Sequence, residues 1–198
     1  MNCSLKIKTI EFTGMPKAGK STQLELLETI LKHKGFNVRN IYEGARVCPL
    51  NKKDRFQYNT WSFNNTANRI MEAMASKFDY MLIDRGIYDH IAFTKALLSY
   101  GQITAKQSEA QLKYFREFSF LEDIVLIFTI DPKEAMEREC KHHEFAGTVM
   151  NKEFLIELRK AYIDTISEIK QKHVLIDGSK SIKENKEEIL NFIVNMEI

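Results

Sequence analysis

Five short segments of the chain are rich in β-branched and aromatic residues, and stretches with helical spacing of apolar residues separate them. The five segments span residues 5–13, 36–42, 78–83, 123–130 and 173–176. Segments of this composition and length are typical of β-strands. The run from Ile124 to Phe128 is continuously apolar. Such a run favours a strand of a parallel sheet whose two faces are both covered.

Between and after these strands, apolar residues recur every three or four positions, as they do on the buried face of an α-helix. The predicted helices span residues 21–34, 61–78, 88–100, 105–118, 132–143, 153–172 and 181–196. Pro132 suits the first turn of its helix, and Ser181 suits the capping position of the last one. The alternation predicts βαβ units, and therefore an α/β fold with a five-stranded parallel sheet and helices on both faces. Ligands of such sheets bind beyond the carboxyl ends of the strands.

Composition and charge exclude several classes of function. The 198 residues predict one domain over 1–198, and the formal net charge of +2 favours neither a nucleic-acid partner nor a membrane surface. Cys3, Cys48 and Cys140 are too far apart to indicate a disulfide framework, which fits a reducing compartment. No apolar run approaches the roughly 20 residues that span a bilayer. We therefore expect a cytoplasmic protein with no nucleic-acid or membrane partner.

The most specific motif lies between the first predicted strand and the first predicted helix, where residues 14–21 read GMPKAGKS. This segment matches G-x-x-x-x-G-K-[ST] in the structural context that the phosphate-binding loop requires. Backbone amides and the helix N-terminus bind the β-phosphate, the lysine reaches the β- and γ-phosphates, and the serine ligates Mg²⁺. We therefore predict a three-layer P-loop NTPase fold that binds ATP and Mg²⁺. The predicted loop contacts are Gly14, Lys17, Ala18, Gly19, Lys20, Ser21 and Thr22.

A GTPase is the first rival class, because residues 51–54 read NKKD and so spell the N-K-x-D motif. This segment follows the second strand, too close to the loop to form a base pocket at the far side of the sheet. Residues 84–87, at the end of the third strand, do not spell the D-x-x-G motif either. The sequence therefore favours a phosphotransferase over a GTPase switch.

Charged residues after the second and third strands are candidates for the acceptor side of the reaction. Asp84 and Arg85 end the third strand, so Arg85 is expected to face the ligand crevice and Asp84 to lie near Mg²⁺. Glu43 and Arg46 follow the second strand, and Glu43 is placed to act as a base for a hydroxyl acceptor. Arg69 lies on the helix that precedes the third strand.

Three blocks in the same order resemble the thymidylate kinases. They are FTGMPKAGKSTQ at 12–23, TANR at 66–69 and DRGIYDHIAFT at 84–94. Downstream, DPKEA at 131–135 with Arg138 resembles the helix that leads into the family's mobile lid, here around 138–150. The resemblance implies transfer of the γ-phosphoryl group of ATP to a nucleoside monophosphate, converting dTMP or a related nucleotide to the diphosphate. It also implies a homodimer.

The resemblance implies particular roles for single residues. Arg69 and Arg85 would hold the 5′-phosphate of the acceptor, and Asp84 would organise Mg²⁺. Lys17 would take the place of a loop arginine that stabilises charge on the transferred group, so Lys17, Lys20, Asp84 and Arg85 form the predicted catalytic set. Arg138 would contact the nucleotide from the lid.

Four residues depart from the family pattern at the predicted acceptor pocket. Pro16, Asn65, Gly86 and Asp89 stand where the family often has aspartate, phenylalanine, tyrosine and serine. Asn65 and Asp89 nonetheless join Glu43, Arg46, Arg69 and Arg85 in the predicted acceptor site. Two alternatives therefore stay open, a nucleoside kinase with Glu43 as base and a non-catalytic ATP-binding module. The aromatic residues considered for stacking on a base are Trp61, Phe63 and Tyr88.

Overall fold

A computed structural model describes residues 8–141 and 150–194 of the chain. The strands are β1 (Lys8–Gly14), β2 (Val38–Ile41), β3 (Tyr80–Asp84), β4 (Ile124–Thr129) and β5 (Lys172–Asp177). They form one parallel sheet in the order β2-β3-β1-β4-β5. Every residue of β3 and β4 is buried, so both faces of the central sheet are covered, as the apolar run in β4 predicted.

The helices are α1 (Lys20–His33), α2 (Arg55–Met74), α3 (Ile87–Ser99), α4 (Ala105–Arg116), α5 (Pro132–Lys141), α6 (Lys152–Ile166) and α7 (Ile182–Val194). Helix α1 packs with α7, whereas α3 packs with α4 and α6. The predicted α/β class and the five-stranded parallel sheet are confirmed. Within the described residues, no helix is both long enough and apolar enough to cross a bilayer.

Two helices differ from their predicted bounds by more than two residues, and one of them, α2, also ends at Met74 instead of residue 78. Helix α2 begins at Arg55 instead of residue 61, because its first two turns already bury Asn59 beneath the crevice described below. Helix α6 ends at Ile166 instead of residue 172, because the chain must straighten to pair Lys172 with Ile124 of β4. The predicted starts and ends at residues 5–7, 142–143 and 195–196 lie outside the described residues.

The segment that spells N-K-x-D is the turn that leads into α2. The backbone amide of Lys53 donates to Oδ1 of Asn51 at 2.9 Å, and the amide of Asp54 donates to the carbonyl oxygen of Asn51 at 3.0 Å. Asp54 then occupies the position before the first residue of α2. These residues therefore have a local structural reason for their pattern, which needs no guanine pocket.

Candidate active site

The phosphate loop begins where β1 lies closest to its neighbour β4. Gly14 has a positive φ of 128°, and a Cβ atom there would lie 2.0 Å from the carbonyl oxygen of Phe128. The amide of Met15 donates to that same oxygen at 2.8 Å. Glycine is required at position 14 for both its backbone conformation and the close approach of the strands.

Between Gly14 and α1, two more residues have a left-handed backbone conformation, Lys17 with φ 60° and Gly19 with φ 94°. Gly19 occupies the N-cap position, and no side chain caps the helix there. The first amides of α1 are therefore left to a ligand, as in an anion-binding helix N-terminus. We call the space above them the loop crevice, about 880 Å³ in volume. The loop crevice is lined by residues 16–23, Glu43, Arg46, Asp84, Arg85, Arg138, 178–182 and Asn185.

Lys20 is a buried ammonium at the floor of the loop crevice. Its Nζ donates to the carbonyl oxygens of Gly14 at 3.0 Å and Met15 at 2.8 Å. Burial, followed by the nearby charge of Arg85, lowers the pKa of Lys20 to about 7, although Asp89 and other carboxylates oppose the change. An anion that entered the loop would favour the charged form of this side chain.

Arg85 has a left-handed backbone with φ 63°, and its side chain is 12% exposed. Its Nη1 donates to Oδ1 of Asp89 at 2.9 Å, and its Nε lies 3.4 Å from Oε1 of Glu43. The hydroxyls of Tyr162 and Thr13 also donate to Asp89, at 2.6 and 3.0 Å. Burial is the largest single influence on the pKa of Asp89 and raises it, but the charge of Arg85, the hydrogen bond from Tyr162 and the charges of His90 and Lys20 together bring this pKa below its ordinary value. The negative charge that Asp89 introduces is thus the buried counterion of Arg85.

Asp84 and Ser21, the two predicted metal ligands, both line the loop crevice. Oδ2 of Asp84 lies 3.4 Å from Nη2 of Arg46, whose Nε lies 3.9 Å from Oε2 of Glu43. The described residues contain no group of three or more histidine, cysteine or acidic side chains that could hold a metal by themselves. A cation here would therefore rely on a hydroxyl, one carboxylate and oxygen atoms from its ligand, which is how Mg²⁺ is held with nucleotides.

A second cavity, the α2–α3 crevice, lies beside the loop crevice and has a volume of about 410 Å³. Its deeper lining is Ala45, Lys52, Arg55, Tyr58, Asn59, Ser62, Asp89, His90, Phe93, Leu97, Glu139, Met150 and Phe154. The two crevices share five lining residues, which we call the junction: Pro16, Lys17, Glu43, Arg46 and Arg85. Ligands in the two crevices would therefore meet at a junction that carries three cations and one carboxylate.

Helix α5 contacts the phosphate loop through Arg138 and Glu139. Nη1 of Arg138 donates to the carbonyl oxygen of Lys17 at 3.1 Å, and its Nη2 pairs with Glu134 at 2.6 Å. The ammonium of Lys17 lies 2.8 Å from Oε2 of Glu139. Of the predicted lid around 138–150, residues 142–149 lie outside the described residues.

Comparison with known proteins decides among the P-loop families. Residues 12–189 match the sequence profile of the family described as thymidylate kinase. The chain belongs to the thymidylate kinase family. A probable thymidylate kinase of Methanobrevibacter smithii is 31% identical over 186 residues, which cover 87% of this chain and 87% of that protein. The thymidylate kinase of Thermosipho africanus is 28% identical over 191 residues, which cover 87% of this chain and 90% of that protein.

Solved structures support the fold of this thymidylate kinase family member. A deoxyadenosine kinase from M. mycoides, solved with dCMP and dCDP, superposes with a TM-score of 0.73 at 17% identity, over 94% of this chain and 99% of that one. At that identity the likeness concerns the fold alone. This likeness confirms the predicted P-loop kinase fold. The family assignment confirms the predicted enzyme class, a nucleoside monophosphate kinase.

Two residues predicted for the acceptor site of the thymidylate kinase family lie outside the described walls of both crevices. Nη1 of Arg69 donates to the carbonyl oxygen of Tyr42 at 2.8 Å, which ties α2 to the end of β2. Asn65 lies beneath the backbone of Gly44, where a Cβ atom would approach its Oδ1 to 3.3 Å. The acceptor contacts of Arg69 and Asn65 stay predictions.

The aromatic residues considered for base stacking pack elsewhere. Phe63 is fully buried and stacks on Phe115 with 4.0 Å between ring centroids. Tyr88 is buried, and its hydroxyl donates to Gln171. Trp61 is absent from the described lining of both crevices. Phe63 and Tyr88 therefore belong to the core, and none of the three aromatic residues is among the described lining of the crevices.

The phenylalanine and tyrosine residues that do line the α2–α3 crevice are Tyr58, Phe93 and Phe154. Phe93 lies on the same face of α3 as Asp89 and Leu97, at four-residue spacing, and all three line the crevice. The guanidinium carbon of Arg85 lies 5.6 Å from the Phe93 ring centroid. The sequence contained a signal for Phe93, because it lies four residues after Asp89, a predicted ligand-facing residue, and residues four apart share one face of a helix.

The sequence did not predict a role for two buried carboxyl groups, which belong to Glu11 on β1 and Glu122 before β4. Oε1 of Glu122 accepts the amide of Ile87 at 2.8 Å. The amides that donate to Glu11 belong to Gly86, Tyr88 and Asp89, at 2.9, 3.1 and 2.9 Å. Burial raises the pKa of Glu11 and raises that of Glu122 well above its ordinary value, with the neighbouring carboxyl adding to the effect at Glu122. The pair caps α3 directly behind Arg85.

The carboxyl pair explains the glycine at position 86, where the thymidylate kinase family usually has tyrosine. A Cβ atom on Gly86 would lie 2.0 Å from Oε1 of Glu122 and 2.9 Å from Cδ of Glu11. The carboxyl groups therefore occupy the space that a side chain would need. Glycine at position 86 therefore leaves room for the two carboxyl groups that accept the first backbone amides of α3, next to Arg85.

Proposed function

We propose that this enzyme transfers the γ-phosphoryl group of ATP, with Mg²⁺, to the 5′-phosphate of a nucleoside monophosphate, with dTMP as the first candidate. The observation that carries the proposal is the junction, where the loop crevice and the α2–α3 crevice share Lys17, Glu43, Arg46 and Arg85. A triphosphate in one crevice and a monophosphate in the other would bring their reacting phosphates together there. The relatives named thymidylate kinases support the same reaction.

On the donor side, the loop fits the phosphates of ATP. The ammonium of Lys20 donates to two neutral carbonyl oxygens, so anionic phosphate oxygens would be stronger acceptors for it. Ala18, Gly19 and Thr22 line the loop crevice, where the backbone amides at the start of α1 would bind the β-phosphate. Ser21 and Asp84 would hold Mg²⁺, which neutralises charge between the β- and γ-phosphates when it is bound.

On the acceptor side, Arg85 and Arg46 supply cations for a 5′-phosphate. Both are paired with carboxylates, Arg85 with Asp89 and Arg46 with Asp84, which orients each guanidinium toward the junction. Buried carboxylate partners fix a guanidinium in place and leave its remaining N–H groups for a phosphate. Glu43 is held by the same two arginines, which supports a role as their counterion rather than as a free base.

The reaction that this arrangement supports is an in-line displacement. An oxygen of the acceptor phosphate forms a bond to the γ-phosphorus while the bond from that phosphorus to the β–γ bridging oxygen breaks, which yields ADP and a nucleoside diphosphate. Lys20 and Lys17 would neutralise the charge that spreads over the transferred group. Lys17 would have to exchange Glu139 for the phosphate, because it is paired with that carboxylate at 2.8 Å.

A substrate panel tests the proposal. Purified protein with ATP and Mg²⁺ would be given each deoxynucleoside monophosphate and each deoxynucleoside, and release of ADP would be measured. We expect turnover with at least one monophosphate and none with the corresponding nucleoside. Turnover of nucleosides alone would instead establish a nucleoside kinase, and ATP binding without any turnover would establish a non-catalytic module.

A further inference from the structure

A histidine in the wall of the α2–α3 crevice keeps one ring nitrogen without a partner. His90 is 6% exposed and lines the crevice. Its Nδ1 lies 2.9 Å from Oδ1 of Asn59, whereas its Nε2 is buried and has no hydrogen-bond partner among residues 8–141 and 150–194. A buried polar atom without a partner carries a cost, which a ligand that reaches it removes.

The hydrogen-bond network behind His90 settles which ring nitrogen carries the proton. The hydroxyl of Thr94 has one hydrogen, and two of its neighbours, the carbonyl oxygen of His90 at 2.9 Å and Oε1 of Gln111 at 3.1 Å, only accept. Thr94 must therefore accept from Asn59, whose Nδ2 lies 2.9 Å away. Oδ1 of Asn59 then faces His90, so Nδ1 of His90 is the protonated nitrogen.

The orientation of Gln111 is fixed in turn by the backbone. Its Nε2 lies 2.8 Å from the carbonyl oxygen of Phe56 and 2.7 Å from Oγ1 of Thr60, so this atom must be the amide nitrogen. The chain of assignments thus begins at a backbone carbonyl, which cannot donate, and ends at the histidine ring. Nε2 of His90 is left with a lone pair directed away from the network.

The imidazole is neutral at physiological pH. Burial lowers the pKa of His90 to about 4, with Asp89 opposing and Arg85 adding to the effect. The rings of Phe63 and Phe115 pack against the imidazole at centroid distances of 5.7 and 6.0 Å, which fixes its plane. Nε2 is therefore the unprotonated ring nitrogen and can only accept a hydrogen bond.

The rest of the crevice suits a flat heterocycle. Phe93 and Phe154 supply aromatic surface, with 6.2 Å between their ring centroids. Ser62 lines the same crevice, and its buried hydroxyl also has no hydrogen-bond partner in the described parts of the chain. Aromatic walls with a few polar atoms at fixed positions are typical of sites that select a small ligand by its edge.

We propose that His90 is a specificity-determining residue that selects the acceptor base by accepting a hydrogen bond from an N–H group on the base's pairing edge. This inference rests on the proposed function, because it assumes that a nucleoside monophosphate occupies the α2–α3 crevice. The ligand class is a nucleobase with an imino or amino hydrogen directed at Nε2. A base that lacks this hydrogen leaves two acceptors facing each other and is rejected.

The test pairs each accepted monophosphate with an analogue whose N–H is missing. dCMP would be compared with its 4-deamino analogue, dAMP with its 6-deamino analogue, and dTMP with N3-methyl-dTMP. For the wild type we expect kcat/KM to fall about 10- to 100-fold when the hydrogen is lost. In His90→Phe the ratio should shrink toward one, and in His90→Gln, which keeps an acceptor, much of it should return. An unchanged ratio in His90→Phe would overturn the inference.

His33→Phe is the matched control, because His33 is exposed at the end of α1, away from the crevice. It should leave the ratio as in the wild type. If His90→Phe does not fold, ¹⁵N spectra of histidine-labelled wild type provide a second test. The accepted monophosphate, added without ATP, should shift the Nε2 resonance of His90, and an unmoved resonance would refute the contact. Absence of turnover with a shifted resonance would count against the proposed reaction but not against base recognition.

Discussion

The loop crevice and the α2–α3 crevice meet at the same charged side chains, yet the chain builds them in different ways. Residues 16–23 supply one contiguous wall of the loop crevice, and the expected phosphate contacts of this wall are largely backbone amides. The α2–α3 crevice is assembled from side chains on α2, α3 and α6, which the fold brings together from distant parts of the sequence. The first can therefore be recognised as a motif, whereas the second depends on packing.

Because they are built differently, the two crevices can recognise different parts of a nucleotide. A cradle of backbone amides binds phosphates whatever nucleoside carries them, since every nucleotide presents the same phosphate oxygens. Side chains such as His90 and Phe93, which line the α2–α3 crevice, would face the base in the proposed complex and so distinguish one nucleoside from another. Changes in the loop should thus affect all acceptors equally, and changes in the α2–α3 crevice should affect acceptors unequally.

The largest effect is expected from Lys20→Ala, which removes the buried ammonium from the loop. Turnover should fall by about 10³-fold or more with every acceptor, because charge on the transferred phosphoryl group loses its fixed partner. Steady-state ADP release with two or more monophosphates measures this loss. Lys32→Ala is the control, since Lys32 is exposed on the same helix and pairs with Glu28. A loss that differed strongly among acceptors would break the proposed division between the crevices.

A smaller and more selective effect is expected from Arg85→Lys. Arg85 donates through Nη1 to both carboxylate oxygens of Asp89 and approaches Glu43 through Nε, a geometry that an ammonium cannot reproduce. We expect KM for the monophosphate to rise about 10- to 100-fold while KM for ATP stays nearly constant. Arg116→Lys, a change at a partly exposed pair with Glu168, should leave both constants unchanged. Equal changes in both KM values would contradict the assignment of Arg85 to the acceptor phosphate.

Part of the fold and of the site followed directly from the sequence, and the remainder needed coordinates. The motif at 14–21 predicted a strand, a loop and a helix because its geometry is local, with Gly14 and Gly19 at backbone angles that favour glycine. Asp84 and Arg85 were placed correctly at the crevice because a strand end fixes where its last residues lie.

The parts that sequence reasoning missed depend on contacts between distant residues. Glu11 reads as an interruption of an apolar strand, and its reason becomes visible only when Glu122 and the start of α3 lie beside it. Asp89 reads as a charge added to a phosphate site, whereas two hydroxyl donors and Arg85 surround it as a buried counterion. Tertiary partners, which no local pattern encodes, decide the role of such residues.

The loop also makes a prediction about pH. The pKa of Lys20 is lowered to about 7 in the free enzyme, mainly by burial, and bound phosphates should raise it by favouring the ammonium. Between about pH 7 and the higher pKa of the complex, ATP binding should therefore take up a proton, and affinity should fall by up to tenfold per pH unit as pH rises. Below this range the dependence on Lys20 should vanish.

Calorimetry in two buffers of different ionisation enthalpy measures the proton uptake. At about pH 8, the apparent binding enthalpy should differ between the buffers in the direction of uptake. In Lys20→Arg, whose guanidinium stays charged, this contribution should be lost. Equal proton uptake by the wild type and Lys20→Arg would show that another group titrates, and would remove Lys20 from the explanation.

The smallest effect concerns the carboxyl pair behind Arg85, and it appears in stability. Because the pKa of Glu122 is raised in the folded state, chiefly by burial, its contribution to stability is fully present below the unfolded pKa and is lost as pH rises through the folded pKa. Glu122→Gln keeps an oxygen for the amide of Ile87 and can donate to Glu11 without ionising. Above neutral pH the variant should be more stable than the wild type by about 1–2 kcal/mol, and near pH 4 the two should be nearly equal.

Denaturant unfolding across this pH range, with the exposed Glu72→Gln as control, measures the difference. A variant less stable than the wild type at every pH would mean that the carboxyl of Glu122 is ionised in the fold, and the packing of Gly86 against it would then require a different explanation.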